Sequence, residues 1–369
     1  MENKSAFGIV IPTYNRQENL RTVLESLATQ TYQDFSVTVA DDGSTDGTRE
    51  LIDELQETRH WKGRLHWIWC GVNRGIRPGR ARNIGVSSLP KHTFCLLLDS
   101  DVILESHAVE RVLSAHNQWP SAIIFGLVNW LPPMARSKLI ERWRTGGFVA
   151  LEESIPISSG GRVHGTYVGP DLRLALTPSP FSSQPSTPVY LRAEWALSAL
   201  LGCPVELYRS IEGFNEDMDT YGYDDIEFGA RAQANGVSGL FLHDILGMHI
   251  WHPKPDPDES VIEEQKNLDY VLRLHGPNPA LGKNVDWIYW WHYHRDRGGT
   301  LIRIGSQLWA INAQQTRRIQ LPQQDWVTRL GHSNLSITAS SEEVLASIPE
   351  CPAIWSGQRR QISRLGEKH

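Results

Sequence analysis

The stretch FCLLLDSDVIL, residues 94–104, decides the fold of this 369-residue chain. Its apolar start predicts a strand. Two carboxylates, Asp99 and Asp101, follow this strand directly. Carboxylates at a strand end supply the oxygen ligands that a divalent cation prefers. The alternative for Asp101 is a helix N-cap, because the pattern after it predicts a helix over Leu104–Trp119.

On both sides of this stretch, short apolar runs alternate with helical patterns. The predicted strands are Phe7–Pro12, Phe35–Ala40, Leu65–Trp69, Phe94–Leu98 and Ala122–Phe125. The other predicted helices are Gln17–Gln30, a helix capped by Ser44 or Thr45 that ends at Leu55, and Arg80–Ser87. The alternation predicts an α/β fold whose mostly parallel, Rossmann-like sheet is flanked by helices. In such sheets, ligands bind outside the carboxyl ends of the strands.

Polar residues follow the first two predicted strands at this edge. The segment PTYNR begins at Pro12, and Asp42 follows the second strand. Tyr14 can stack on a nucleotide base while Asp42 accepts a hydrogen bond from it, although turn formation explains Asp42 equally well. Arginines in NRGIRPGRARN, residues 73–83, lie near a helix start and suit diphosphate oxygens. A solvated basic loop is the alternative for that segment.

The second half of the chain supplies an acidic pair and two histidines. Asp224 and Asp225 are adjacent, and a carboxylate there can take the proton from an attacking hydroxyl. Stabilisation of a helix dipole is the alternative role. His249 and His252, in MHIWHP, can complete a metal shell with Asp101, and nitrogen among oxygen ligands favours manganese over magnesium. The alternative for each histidine is a structural role.

Composition excludes several other classes of protein. The chain has 36 basic and 42 acidic residues, a net charge of -6, which argues against a nucleic-acid partner. No stretch approaches the roughly 18 to 20 apolar residues of a membrane span, although peripheral membrane contact stays open. The first ten residues lack the pattern of a signal peptide. The 4 cysteines are scattered, a reduced pattern that predicts a cytoplasmic protein.

Taken together, the motifs resemble the family 2 glycosyltransferases. The matching segments are IVIPTYNR (9–16), QTYQDFSVTVADDGSTDGT (30–48), RARN (80–83), LLLDSDVIL (96–104), GFNE (213–216) and YGYDDIE (221–227). Residues 213–236 also resemble the carboxyl-terminal half-domain of animal galactosyltransferases and of bacterial chondroitin-type polymerases. The resemblance implies an A-type glycosyltransferase fold and a nucleotide-sugar donor, commonly a uridine one.

The resemblance also implies a role for each matching residue. Tyr14 and Asp42 would hold the base, Asp99 would face the ribose or donor sugar, and Asp225 would be the catalytic base. Asp101 would hold Mn2+ or Mg2+ with His252 or His249. The further expected donor-binding residues are Pro12, Asn15, Arg16, Arg80, Asn83 and Ser100, and the acceptor-binding residues are Asp224, Tyr221 and Gly222. Tyr221-Gly222 and Asp224-Asp225 depart from the family's usual Trp-Gly and Glu-Asp, which leaves acceptor recognition open.

Changes in amino-acid composition and in secondary-structure pattern along the chain predict three regions. Residues 1–255 form the catalytic domain, with a Ser/Pro-rich insertion at about 152–190 that is either a flexible lid or without a role. Residues 256–295 form a helical extension whose Trp287, Trp290 and Trp291 suit sugar binding or packing. Residues 296–369 form a small β-rich accessory module, which resembles a short repeat of bacterial surface and secreted proteins.

The expected function is metal-dependent, inverting transfer of a sugar from a nucleotide diphosphate to an acceptor hydroxyl. The acceptor could be a carbohydrate, a lipid-linked sugar, a peptide or a small molecule. A nucleotide-sugar nucleotidyltransferase is an alternative, but it would need a Gly- and Lys-rich triphosphate loop near the N-terminus. A non-catalytic carbohydrate-binding protein is a second alternative, against which the acidic residues count.

Overall fold

The structure of the chain is a computed structural model. It describes residues 7–71, 77–90, 93–152, 161–163, 166–169, 171, 189–192, 196–253, 257–275, 300–304, 307–311 and 316–319. The strands are β1 Phe7–Thr13, β2 Ser36–Asp41, β3 Leu65–Trp69, β4 Phe94–Leu98, β5 Val102–Leu104, β6 Ile123–Trp130, β7 Gly161–Val163, β8 Thr166–Val168, β9 Val189–Arg192, β10 Leu200–Pro204, β11 Ser238–His249, β12 Thr300–Ile304, β13 Gln307–Ile311 and β14 Thr316–Ile319. The helices are α1 Gln17–Ala28, α2 Thr48–Gln56, α3 Pro78–Ser87, α4 Ala108–Gln118, α5 Arg136–Glu152, α6 Val205–Ser210, α7 Asp224–Ala234 and α8 Pro257–His275.

The main sheet has the order β3-β2-β1-β4-β10-β6-β11-β5, and β9 pairs with β11. Its first four strands are parallel, as predicted. β10 enters between β4 and β6 and runs antiparallel to both, so residues far apart in sequence meet at the centre. β11 is parallel to β6 and antiparallel to β5. The sheet is therefore mixed, and its helices cover both faces.

The burial of the first strands explains why they could be predicted from the sequence. Every residue of β1 and of β4 is buried, as expected for strands covered on both faces. Helix α3 packs closely over β1, since a Cβ on Gly85 would lie 2.4 Å from Cγ1 of Val10. Only glycine allows that approach, which brings the arginines of α3 down onto the sheet edge.

Two local predictions were wrong. The segment Val102–Leu104 is strand β5, and helix α4 begins only at Ala108. An apolar triplet with two β-branched residues fits an antiparallel pairing with β11 better than a helix start, so Asp101 is not a helix N-cap.

The predicted caps of the second helix were wrong as well. Helix α2 begins at Thr48, and the Asp46 carboxylate accepts the Thr48 backbone N–H at 3.0 Å. The Ser44 hydroxyl instead accepts a hydrogen bond from the Asn15 backbone N–H at 2.9 Å. Ser44 therefore joins the loops after β1 and β2.

The later part of the chain is described only in pieces. The hairpin β7–β8 lies within the predicted insertion, and the rest of the Ser/Pro-rich run lies outside the described residues except 152, 169, 171 and β9. Helix α8 begins the predicted helical extension, whose tryptophans at 287–291 also lie outside them. Strands β12, β13 and β14 form a separate antiparallel sheet, and the domain boundaries stay predictions. Within the described part, no helix is long and apolar enough to cross a membrane.

Candidate active site

Two strands bring Asp101, His249 and His252 together. The pairing of β5 with β11 sets Val102 opposite His249, and the Ile250 N–H donates to the Asp101 carbonyl at 2.7 Å. The Nε2 atoms of His249 and His252 lie 3.4 Å and 3.1 Å from the two carboxylate oxygens of Asp101. One ligand atom from each residue lies within 4.8 Å of the others. The structure thus places both candidate histidines at the carboxylate.

This cluster has the chemistry of a divalent-cation site. Asp101 is buried, and neither its Oδ1 atom nor the Nδ1 atom of His249 has a hydrogen-bond partner among the described residues. Burial opposes the charge of Asp101, but His249 and His252 outweigh it and hold the pKa of the carboxyl below its usual value. Burial lowers the pKa of His249, which favours the neutral, ligating imidazole. A carboxylate beside two imidazoles fits manganese or a similar ion.

Arg16 extends the cluster towards the loop after β1. Its guanidinium donates to Nδ1 of His252 at 3.0 Å, and this contact leaves Nε2 of the histidine facing Asp101. The hydroxyl of Thr166, on β8, donates to the backbone carbonyl of His252. A positive group beside a cation site suits a diphosphate.

A buried arginine links the strand-end motif to the acidic pair. Arg82, on α3, is 3% exposed, and its two terminal nitrogens lie 2.6 Å from Asp99 and 3.2 Å from Asp224. Its guanidinium also lies 5.2 Å from the ring centre of Phe214. Without Arg82, the buried Asp224 and the partly exposed Asp99 would have no counter-charge between them. Residues 99 and 224, which are distant in sequence, therefore belong to one site.

Asp225 follows Asp224 in the first turn of α7 and remains partly exposed. Its Oδ1 atom accepts the backbone N–H of Ile226 at 2.8 Å. Burial, followed by repulsion from Asp224, raises the pKa of Asp225 to about 7, although Arg82 opposes the shift. Burial also raises the pKa of Asp224. A carboxylate with a pKa near neutrality can serve as a general base.

Asp42 lies in an arginine pocket at the ends of β1 and β2. Oδ1 of Asp42 is 3.2 Å from Arg77 and 3.6 Å from Arg80. Burial raises the pKa of Asp42, while the two arginines oppose the rise. Tyr14, 42% exposed, and Trp69, 45% exposed, offer aromatic surface at the ends of β1 and β3. The pocket and these rings suit a base and its phosphates.

The remaining predicted donor residues occupy structural positions. Asn15 has a positive φ of 51°, and its side-chain oxygen accepts the Thr45 N–H at 2.7 Å, which ties two loops together. Asn83 holds Phe214 by hydrogen bonds of 2.9 Å and 2.8 Å to its backbone. Ser100 is buried in the turn after β4, and Pro12 lies within β1. Asn83 thus anchors the loop before α7, whereas the arginine pocket consists of Asp42, Arg77 and Arg80.

The predicted acceptor residues Tyr221 and Gly222 form the approach to α7. Gly222 has a φ of +96°, and Tyr223, the residue before the helix, has a φ of +64°. Tyr221 is 37% exposed. Two successive residues in this unusual conformation turn the chain sharply, so that α7 presents Asp224 and Asp225 at its start.

Sequence reasoning did not single out three residues that the structure adds. Arg77 and Arg82 flank the predicted Arg80, and only the helix phase shows that Arg82 turns inward. Asn267, on α8, contacts the loop at 220–222 from a distant part of the chain. In the sequence, Asn267 is only one more polar residue on a predicted helix, so nothing there indicates its contacts with the loop.

The sheet order and the residues at its edge define the class of this protein, which has the A-type glycosyltransferase fold. The crystal structure of GalNAc-T7 with UDP, GalNAc and Mn2+ has this fold in common with it, at a TM-score of 0.52 and 15% identity. The superposition covers 80% of this chain and 51% of that one. The predicted fold class is confirmed.

Comparison of sequences finds a family match over the first part of the chain. Residues 8–161 match the model described as glycosyl transferase family 2. Validoxylamine A glucosyltransferase of Streptomyces hygroscopicus subsp. jinggangensis (strain 5008) is 28% identical over 284 residues, or 76% of this chain and 63% of that protein. Chondroitin synthase of Escherichia coli is 24% identical over 282 residues, or 72% and 37%. The chain thus spans less than two thirds of the length of these relatives.

Proposed function

We propose that this protein transfers a sugar from a nucleotide diphosphate donor to an acceptor hydroxyl, in a metal-dependent and inverting reaction. The observation that carries the proposal is the bridge from Asp99 through Arg82 to Asp224. It joins the donor motif at the end of β4 to the acidic pair on α7. A donor and an acceptor can therefore meet in one site.

In this reaction Asp225 removes the proton of the acceptor hydroxyl. The oxygen then forms a bond to the anomeric carbon as the bond to the diphosphate oxygen breaks, which inverts that carbon. Asp224, fixed by Arg82, holds the acceptor hydroxyls. Asp101, His249 and His252 would hold the metal, which supplies positive charge for the leaving diphosphate when bound.

For the donor, we propose a uridine diphosphate sugar bound along β1, β2 and α3. Tyr14 stacks on the base, and Asp42 accepts a hydrogen bond from its edge. Arg16, Arg77 and Arg80 surround the phosphates. The GalNAc-T7 structure contains UDP, which supports this choice as an analogy. The acceptor class and the cytoplasmic location stay predictions.

Nucleotide binding tests the donor site. We expect one of UDP, GDP, CDP and dTDP, with UDP first, to stabilise the protein only when Mn2+ is present. The gain should be about 2.7 kcal/mol at a hundredfold excess over the dissociation constant. Thermal unfolding with each diphosphate, with and without the metal, measures it. The gain should disappear in Asp101→Ala, and binding of plain sugars without nucleotide or metal would instead favour a carbohydrate-binding protein.

The pKa of Asp225 gives a second test. A base acts only when deprotonated, so turnover should rise with pH and reach half of its plateau near the pKa of about 7. Below that pH, each unit should cost about tenfold in rate. Release of UDP from a UDP-sugar between pH 5.5 and 8.5 measures this profile. A rate that stays level down to pH 5.5 would assign the base to a group with an ordinary carboxyl pKa.

A further inference from the structure

Helix α8 holds the loop in front of the acidic pair through one buried side chain. Asn267 is 3% exposed. Its amide nitrogen lies within hydrogen-bonding distance of three successive carbonyls, those of Thr220 at 3.1 Å, Tyr221 at 3.2 Å and Gly222 at 2.8 Å, which share its two N–H groups. Its amide oxygen accepts the Thr220 hydroxyl at 3.0 Å. Since three partners are carbonyls and one is a hydroxyl, the amide can be oriented in one way only.

The backbone that Asn267 holds is an unusual one. Gly222 and Tyr223 both have positive φ, at +96° and +64°. For a tyrosine this conformation costs on the order of 1 to 3 kcal/mol, and it persists only where neighbouring groups impose it. Asp224 and Asp225 come next in the chain. A change of this backbone would therefore move both carboxylates.

The same helix supports the loop at a second point. A Cβ on Gly222 would lie 3.0 Å from Cγ of Glu264, so the backbone packs directly on α8. Glu264 and Asn267 are three residues apart and share one helix face. Further along α8, the hydroxyl of Tyr270 lies 3.4 Å from Oδ2 of Asp217. At the end of the helix, Nε2 of His275 lies 3.0 Å from Oε1 of the buried Glu227 of α7. Helix α8 thus contacts the loop and α7 along its length.

We propose that Asn267 is a positioning residue for the transfer step. It fixes residues 220–222 so that the chain enters α7 with Asp225 directed at the acceptor hydroxyl, and it touches neither donor nor metal. This role rests on the proposed function. It extends the catalytic unit into α8, beyond residue 255 and beyond the matched residues 8–161.

The test separates positioning from folding. The parent, Asn267→Ala and Asn267→Asp are compared with Mn2+ and whichever of UDP-glucose, UDP-galactose and UDP-N-acetylglucosamine the parent hydrolyses fastest. We expect kcat for UDP release to fall on the order of 10- to 100-fold in both variants, as for a catalytic group displaced by about 1 Å. KM for the donor, and Kd for UDP with Mn2+, should stay within about twofold. Lys266→Ala, whose side chain is 64% exposed on the same helix, is the matched control.

Each outcome decides the assignment. Unchanged kcat in both variants would overturn it, and so would joint loss of kcat and UDP binding in both, since Asn267 would then be needed only for folding. A parent that neither binds UDP nor releases it from any of the three sugars would refute the proposed function with a uridine donor, before any variant is compared.

Discussion

Replacement of Asp225 by asparagine is expected to lower sugar transfer, measured as UDP release, by at least about a hundredfold. Loss of a general base typically costs 10²- to 10⁴-fold, and no other carboxylate on α7 is free to replace it. Asp224 is engaged by Arg82, and Glu227 by Arg231 and His275. The amide oxygen of asparagine can still accept the Ile226 N–H, so the start of α7 should keep its shape.

Binding of the donor separates this effect from unfolding. The Kd of UDP with Mn2+ should change by less than about twofold in Asp225→Asn, because the base acts on the acceptor side of the site. Asp219→Asn is the matched control, since Asp219 lies on the loop before α7 with its side chain 63% exposed. Full transfer activity in Asp225→Asn would show that another group is the base.

Replacement of Arg82 by methionine is expected to destabilise the protein by about 3 to 5 kcal/mol at pH 7. Loss of one member of a buried ion pair has this cost because its partners stay enclosed without a counter-charge. Here two carboxylates, Asp99 and Asp224, lose the same cation. Methionine keeps much of the packing against Phe214, so the loss reports mainly on charge. Urea unfolding followed by tryptophan fluorescence measures it.

The loss should depend on pH in a defined direction. Burial already raises the pKa of Asp224, and Arg82 opposes that rise. Without Arg82 the folded-state pKa climbs further above the unfolded value, so folding favours the protonated acid. The destabilisation should therefore be smaller at pH 5 than at pH 7 and grow as pH rises. Arg21→Met removes an exposed arginine pair with Glu54 and should change stability little at either pH; an equally small loss in Arg82→Met would refute the buried-pair account.

The sequence predicted the strands of the first half closely. β3 and β4 begin and end at the predicted residues, β1 differs by one residue at its end, and β2 differs by one residue at each end. Strands buried on both faces are continuous apolar runs, and such runs are visible in a sequence. β5 was missed because three apolar residues do not distinguish a strand from the first turn of a helix.

The site was harder to predict where it depends on tertiary contacts. Asp101, His249 and His252 were chosen by type and position, and strand pairing places them together. Arg82 and Arg80 look alike in the sequence, but the packing of α3 buries one and leaves the other near Asp42. Asn83 accepts the backbone N–H of Phe214, a contact that the sequence did not predict, and its role at the donor stays a prediction. Asn267 could not be predicted, because its partners are backbone carbonyls, which carry no sequence signature.

The insertion of β10 between β4 and β6 has a consequence for how this protein is made. Both neighbours are almost wholly apolar and buried, yet each lacks a partner on that side until residues 200–204 have left the ribosome. Unpaired apolar strand edges invite association with other chains. The family-matched residues 8–161 thus lack a strand from the centre of this sheet, and a nascent chain that stalls before β10 is expected to expose two apolar strand edges.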